Sequence, residues 1–374
     1  MNDFERKFEE EFNKQKQEIQ KPNIVVVGGT GVGKSSLINR IFGKDVALTG
    51  DGKPITKGIN KFEHKDIPAV FLDTEGYEIA ADGSPDHTNF ETKIIPVIEK
   101  MNSGTLKDHV HLVWYCISIS NHRVTEYDKL NIQYFVKHNM NTAVVFTQCD
   151  NDKELPNGSG KDASAFKAVI AKTIPNLIYF ETCATKKDMY LDLESLIKWS
   201  SDSLPNDQLR QSFIAAQRMS IKGKKTEAYK IAAVFASTTG LSAGLNPFPV
   251  SDSLLLVPQQ IAMCVKITNI FWQNTGLSDK IVDLLKAQIV SLAGKQIATS
   301  LLKLIPGFGQ IINGAVAAGI TGGLGTVLIE GNAKAFEKFL DTGKTPDWAS
   351  IFSSKIFISS VKEAIKNKSW ESGE

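Results

Sequence analysis

Apolar runs alternating with amphipathic stretches between residues 23 and 204 predict a doubly wound, mostly parallel α/β sheet. Two further observations complete the expected architecture. After Leu204-Pro205 the short strand-like runs give way to long helical patterns, which predicts an all-α domain over 205–374. Ahead of the sheet, residues 1–22 place Phe4, Phe8, Phe12 and Ile19 on one face of a charged N-terminal helix. That stripe is read first as packing on the protein's own surface, with self-association and a lipid surface as rivals.

The strands are expected at Ile24–Val27, Ala69–Leu72, Leu112–Ile119, Ala143–Phe146 and Leu177–Phe180, each short and rich in β-branched or aromatic residues. Thr125-x-x-Asp128 reads as a capping box opening a helix after the third run. In the helical part, Ser251 and Ser278 look like N-caps. Breaks fall at Asn246-Pro247-Phe248-Pro249, Ile305-Pro306-Gly307 and Gly343-Lys344-Thr345-Pro346, giving five or so helices.

The most informative stretch is Asn23–Leu37, NIVVVGGTGVGKSSL. It holds Gly28-x4-Gly33-Lys34-Ser35 between a buried strand and a helical pattern, which is the context a phosphate-binding loop needs. Glycines let the backbone of Gly28, Gly29, Thr30, Gly31, Val32 and Gly33 wrap a phosphate, while amides converge at a helix N-terminus whose dipole favours anions. Lys34 is placed to reach β/γ oxygens, Ser35 to offer its hydroxyl to Mg²⁺, and Ser36 to close the loop.

The nucleotide is read downstream. Asp73-Thr74-Glu75-Gly76 follows the second run, where a carboxylate can hold Mg²⁺ through water and the Gly76 amide can approach a γ-phosphate. Thr147-Gln148-Cys149-Asp150 follows the fourth run, where the Asp150 carboxylate can accept hydrogen bonds from guanine N1 and N2. After the fifth run, a backbone amide of Cys183 or Ala184 could meet guanine O6.

In this order the motifs resemble the Ras-like regulatory GTPases, in particular their Era-like branch, over about residues 22–200. The resemblance implies GTP or GDP with Mg²⁺ as ligands. It makes Gly28–Ser36 the first motif, Asp73–Gly76 the third, Thr147–Asp150 the base-specificity motif and Thr182–Ala184 the fifth. Ser35, Thr56 and Asp73 would hold the metal, and Lys34, Thr56 and Gly76 would serve catalysis. Thr56 is preferred to Thr49 as the switch threonine within a loose segment at Gly50–Thr56. Two departures stand out: Thr147 and Gln148 replace the usual Asn and Lys, and Tyr77 stands where many relatives carry a water-orienting Gln. Slow intrinsic hydrolysis follows from the second.

Composition narrows the classes. Lys and Arg (43) nearly balance Asp and Glu (41), so nothing in the net charge of +2 demands nucleic acid. Four scattered cysteines make no disulfide framework or CxxC site, and the charged N-terminus is not a secretory signal, which suits a cytoplasmic setting.

Ile231–Ser251 and Leu304–Ile329 contain no charged residue, and each is as long as the roughly 20 residues that span a bilayer. Gly319-x-x-x-Gly323 has a spacing used between membrane helices. Helices buried in a soluble domain explain both stretches and are preferred; membrane insertion, helped by Arg218, Lys222, Lys224, Lys225 and Lys230 at anionic headgroups, is the rival. Pro247-x-Pro249-x-x-Asp252, Gln260, Ile305–Gly309, Asn313 and Ala315 resemble a poorly characterised helical domain found with Era-like GTPases and in membrane-associated bacterial proteins. The leader, G domain and helical domain together are also similar in order to the immunity-related GTPases and, more loosely, to dynamin-like proteins.

The expectation is therefore a GTP-controlled switch that moves its helical domain. The rivals are a self-associating mechanochemical GTPase on membranes, and a scaffold that binds nucleotide without turnover.

Overall fold

The computed structural model describes residues 20–43, 53–56, 59–63, 67–74, 90–121, 123–186, 191–249, 257–275, 311–312 and 314–347, with a few isolated positions outside these ranges. The chain divides into two compact units, one of residues 20–220 and one of 221–374 with 1–19. The leader's Phe4, Phe8, Phe12 and Ile19 lie outside the described residues, as do Ser251, Ser278 and Ile305–Gly309.

In the first unit β1 (Asn23–Val27) lies between two parallel neighbours, β4 (Val70–Thr74) and β5 (Val110–Ser118). β5 pairs parallel with β6 (Thr142–Thr147), and β6 with β7 (Ile178–Glu181). These are the five expected strands. Every residue of β1, β5 and β6 is buried, as strands covered on both faces must be. Two more strands extend the other edge: β2 (Lys53–Thr56) pairs antiparallel with β3 (Ile59–Glu63), and β3 with β4. The sheet runs β2-β3-β4-β1-β5-β6-β7.

This antiparallel extension corrects the reading of Gly50–Thr56 as wholly loose, because 53–56 form the edge strand. The pattern was hard to read because Lys-Pro-Ile-Thr carries a proline, which a strand tolerates chiefly at an edge.

The side chains of β5 alternate between two cores. Val113, Tyr115 and Ile117 join Val25, Val27, Ile132, Phe135, Val144 and Phe146 on one face. On the other, Trp114 packs with Phe42, which ends helix α1 (Lys34–Phe42), at 6.1 Å between ring centroids, and Phe42 meets Phe71 at 4.6 Å. Helix α2 (Ile95–Asn102) precedes β5, and helix α3 (Glu126–Lys137) opens on the expected capping box. Asp128 Oδ2 accepts from the Thr125 amide at 2.8 Å, and its Oδ1 accepts from Tyr115 Oη at 3.0 Å, which ties the helix start to the sheet.

Helices α4 (Lys161–Ala171) and α5 (Leu193–Asp202) flank β7 in sequence, and α6 (Asp207–Ala216) follows them. Phe213 of α6 stands 5.9 Å from Phe42 and 6.5 Å from Trp114. The first compact unit runs past the composition break at Leu204-Pro205. The break marks where strand and helix stop alternating, whereas aromatic packing carries the unit on to Ser220.

The second unit is built on α7 (Ile221–Leu245), α8 (Val257–Trp272) and α9 (Gly314–Thr342). It also holds two short strands that the sequence did not suggest, β8 (Phe248–Pro249) and β9 (Ile311–Ile312), which pair antiparallel. α7 and α9 run antiparallel at very close approach. A Cβ on Gly314 would fall 2.5 Å from the Gly240 carbonyl oxygen, and one on Gly325 would fall 2.7 Å from Ala232 Cβ. The small residues thus form a seam between two helices of one unit. Beside it, the fully buried Lys224 donates to the Ile270 carbonyl at 2.6 Å and lies 5.1 Å above the Phe336 ring. Trp272 Nε1 donates to Asn332 Oδ1 at 2.7 Å.

α9 is long and apolar enough, by length and composition alone, to cross a membrane; 61% of its most apolar stretch is buried. α7 leaves Val234, Leu241 and Leu245 at 64%, 69% and 81% exposure.

Two predictions follow from this packing. Gly325→Val should destabilise the helical unit by about 2 kcal/mol, because the added methyls meet Ala232 Cβ, which is fixed to its backbone and cannot turn away; urea unfolding followed by tryptophan fluorescence measures it. The second concerns His111, whose Nδ1 accepts from the Asn23 amide at 2.9 Å and whose pKa burial holds below the usual histidine range. The unfolded chain then binds the proton first, so stability is lost as pH falls below about 6.5. His111→Phe should show a shallower loss of stability between pH 7 and 5 than the wild type.

Candidate nucleotide site

The loop after β1 owes its shape to a wedge between two strands. Gly28 has φ 148°, and a Cβ there would lie 2.3 Å from the Cys116 carbonyl oxygen of β5. Gly31 (φ 77°) and Gly33 (φ 95°) also adopt left-handed backbone, so the chain turns twice within four residues before α1 begins. Gly33 caps α1 without a side-chain hydrogen bond, so the first amides of that helix remain available to an anion. Lys34 is buried, and its Nζ donates to the carbonyls of Gly28 at 2.9 Å and Gly29 at 3.1 Å. The side chain therefore folds back over the loop, with its ammonium held against the carbonyls of the turn. Thr30, Gly31, Ser35 and Ser36 are exposed around it, and Val32 anchors the loop in the core.

The base motif is joined to the loop directly. Thr147 Oγ1 donates to the Val32 carbonyl, and Gln148 Nε2 donates to the Gly31 carbonyl at 3.4 Å. Gln148 adopts left-handed backbone (φ 58°), and its Oε1 accepts from Ser118 Oγ at 2.7 Å. The two residues that depart from the usual Asn and Lys thus tie the phosphate loop to the strand ends of β5 and β6. Asp150 follows on the 3-10 turn Cys149–Asn151, two strands from the loop.

The fifth motif is tied to this turn in turn. The Cys149 amide donates to the Thr182 carbonyl at 3.1 Å, and the Thr182 amide and hydroxyl both donate to the Phe146 carbonyl at 2.8 Å. Cys183 is buried and Ala184 half-buried beside it. Burial pushes the Cys149 thiol up to about 12, which marks it as packing, not chemistry.

Asp73 lies on β4 in register with Val26, two residues before Gly28. Thr56 is not brought beside it. Thr56 pairs with Ile59 on β3, and Ile59 with Thr74 on β4. At about 4.8 Å per strand, Thr56 stands roughly 10 Å out along the sheet from β4. Thr49, Gly76 and Tyr77 lie outside the described residues.

Two residues at the site escaped the sequence reading. Ser118 had one available signal, its place at the end of a buried strand level with the loop. Lys186 follows the fifth motif, and its Nζ pairs with Asp150 Oδ2 at 3.2 Å.

A glycine-wrapped loop, a buried lysine folded onto it and a carboxylate two strands away define a P-loop nucleotide-binding domain. Residues 23–148 match the family model described as "50S ribosome-binding GTPase". GTPase Der of Citrifermentans bemidjiense is 40% identical over 60 residues, covering 16% of this chain and 14% of that protein. GTPase Der of Geotalea uraniireducens is 38% identical over 60 residues with the same shares. The matched stretch thus spans only 14% of the curated relatives' own length. Among solved structures, a probable GTP-binding protein EngB aligns over 48% of this chain and 97% of its own at 16% identity and TM-score 0.33. Toc33 from Arabidopsis thaliana aligns over 49% and 80% at 19% identity and TM-score 0.31. Residues 23–148 of the first unit are thus a P-loop GTPase domain of the kind this family model describes.

Gly28→Ala and Gly31→Ala separate two requirements of the loop. The first forces a methyl into the β5 carbonyl and should cost about 2 kcal/mol together with nucleotide affinity. The second meets open space and should cost about 1 kcal/mol, for the left-handed backbone alone. Denaturant unfolding and fluorescent-GDP titration of both variants test the difference.

Proposed function

We propose that this chain is a Mg²⁺-dependent GTP-binding protein that hydrolyses GTP slowly and uses its nucleotide state to reposition its helical unit. The observation that supports the reading is that Thr147 and Gln148 donate to the phosphate loop while Asp150 lies on the turn that follows them. Phosphate grip and base choice would thereby be coupled through adjoining residues.

In this reading Lys34 and the amides from Gly29 to Ser36 hold the phosphates. Asp150 accepts from guanine N1 and N2, and an amide of Cys183 or Ala184 donates to O6. Ser35, Asp73 and Thr56 are the residues that would hold Mg²⁺, which when bound neutralises charge on the phosphate oxygens. Ser35 and Asp73 stand at the ends of adjoining elements, whereas Thr56 must move inward with its edge strand. That movement is the switch. The Gly76 amide would sense the γ-phosphate, and Lys34 would stabilise charge as it develops. Tyr77 lacks the paired donor and acceptor of a glutamine amide, so water is poorly oriented and turnover stays slow until a cation, a partner or a second copy completes the site. Localisation is proposed as cytoplasmic, with peripheral or nucleotide-induced membrane association.

A second reading, a mechanochemical GTPase that self-associates through its nucleotide face on membranes, is favoured by the exposed Val234, Leu241 and Leu245 on a helix without charge beyond Lys230. Turnover that rises with protein concentration or with liposomes supports it, flat slow turnover supports the switch, and none above background supports a scaffold. Liposome flotation with and without a nonhydrolysable GTP analogue tests its membrane half.

Calorimetry should show GTP and GDP bound with Mg²⁺ and ATP bound at least tenfold more weakly, because adenine leaves the Asp150 carboxylate unpaired. Asp150→Asn should shift preference towards xanthine nucleotides. Equal affinity for GTP and ATP would overturn the guanine assignment. Lys34→Ala or Ser35→Ala should remove most nucleotide affinity while circular dichroism stays native.

A further inference from the structure

The base-specificity motif of this chain lacks the lysine that its position 148 would usually supply. Gln148 spends its amide on Gly31 and Ser118, so it brings no cation to the base site. A cation is nevertheless present. Lys186, four residues past Thr182, places Nζ 3.2 Å from Asp150 Oδ2. The Asp150 side chain is only 12% exposed, whereas that of Lys186 is 57% exposed.

We propose that Lys186 is a specificity-determining, positioning residue of the guanine site. Its ammonium orients the Asp150 carboxylate for the base. The inference rests on the guanine reading of Asp150 and adds the residue that makes that carboxylate effective. A carboxylate offers about four lone-pair sites on two oxygens. Guanine N1–H and N2–H take one on each oxygen, which leaves a second site on Oδ2 for Lys186, so base and ammonium bind together without competing. The backbone supports this arrangement. The loops that carry Asp150 and Lys186 start side by side, stapled by the Cys149 amide on the Thr182 carbonyl and by Thr182 on Phe146.

A partly buried acceptor held by one such ion pair loses its preferred rotamer when the partner goes, and the effect on ligand affinity is about fivefold. The role is positional, since Lys186 acts on the base only through Asp150.

The test is a double-mutant cycle read with fluorescent GDP on the full chain, using Lys186→Ala, Lys186→Arg, Asp150→Ala and the double variant Lys186→Ala/Asp150→Ala, with ADP as control. Lys186→Ala should weaken GDP about fivefold and leave ADP unchanged. Lys186→Arg should restore most of the loss, and Lys186→Ala should have no further effect once Asp150 is alanine. The proposal is overturned if Lys186→Ala binds GDP as the wild type does, or more tightly, as it would if the ammonium competed with guanine. An equal loss in the Asp150→Ala background overturns it too, because Lys186 would then act on phosphate or on the fold. The two failures are distinguishable. A wild type that does not prefer GDP to ADP refutes the guanine reading, whereas an intact preference with a silent Lys186→Ala refutes this inference alone.

Discussion

The first unit depends on one close approach, the backbone of Gly28 against the carbonyl of Cys116. β1 reaches its end between β4 and β5 with no room for a side chain, and the chain must leave the sheet as a tight turn at that point. The turn brings the carbonyls of Gly28 and Gly29 under the Lys34 ammonium and starts α1 with its amides facing outward. Phe42 at the far end of α1 then locks the helix into the Phe71, Trp114 and Phe213 cluster. A phosphate grip at one end of a helix is thus backed by an aromatic core at the other.

The substitutions at the base motif change how that grip is supported. Thr147 and Gln148 are shorter or uncharged relative to the residues they replace, yet both donate to carbonyls of the loop. The loop is therefore cross-braced by neutral hydrogen bonds, each worth about 1 kcal/mol. A cation stands on the next loop of the sheet, where Lys186 pairs with Asp150. Neighbouring strand ends share one site because parallel strands all deliver their loops at the same edge.

The helical unit follows a different rule. Where α7 and α9 meet, Gly240 and Gly314 let backbones touch, and Gly325 leaves room for the Ala232 methyl, so close contact replaces the interdigitation of larger side chains. The sixteen uncharged residues Gly314–Ile329 of α9 have this physical origin, since the close approach at Gly314 and Gly325 leaves little space for a charged side chain. The Gly319–Gly323 spacing was the visible sign of such packing, although the tightest contacts fall at Gly314 and Gly325, one turn before it and just after it.

The sequence by itself determined the five parallel strands, the capping box at Thr125 and the phosphate loop, since each depends on local period, turn chemistry or backbone conformation. It also placed Asp150 and the Cys183–Ala184 amides at strand ends, because buried apolar runs announce where strands stop. Only the tertiary structure decided the rest. Whether 53–56 form a strand depends on a partner, β3, whose polar residues carry no signal of their own. The end of the first unit depends on Phe213 finding Phe42 and Trp114 across a long stretch of chain. Ser118 and Lys186 became site residues through contacts with Gln148 and Asp150 that join separate strand ends, and no spacing along the chain encodes a distance across a sheet.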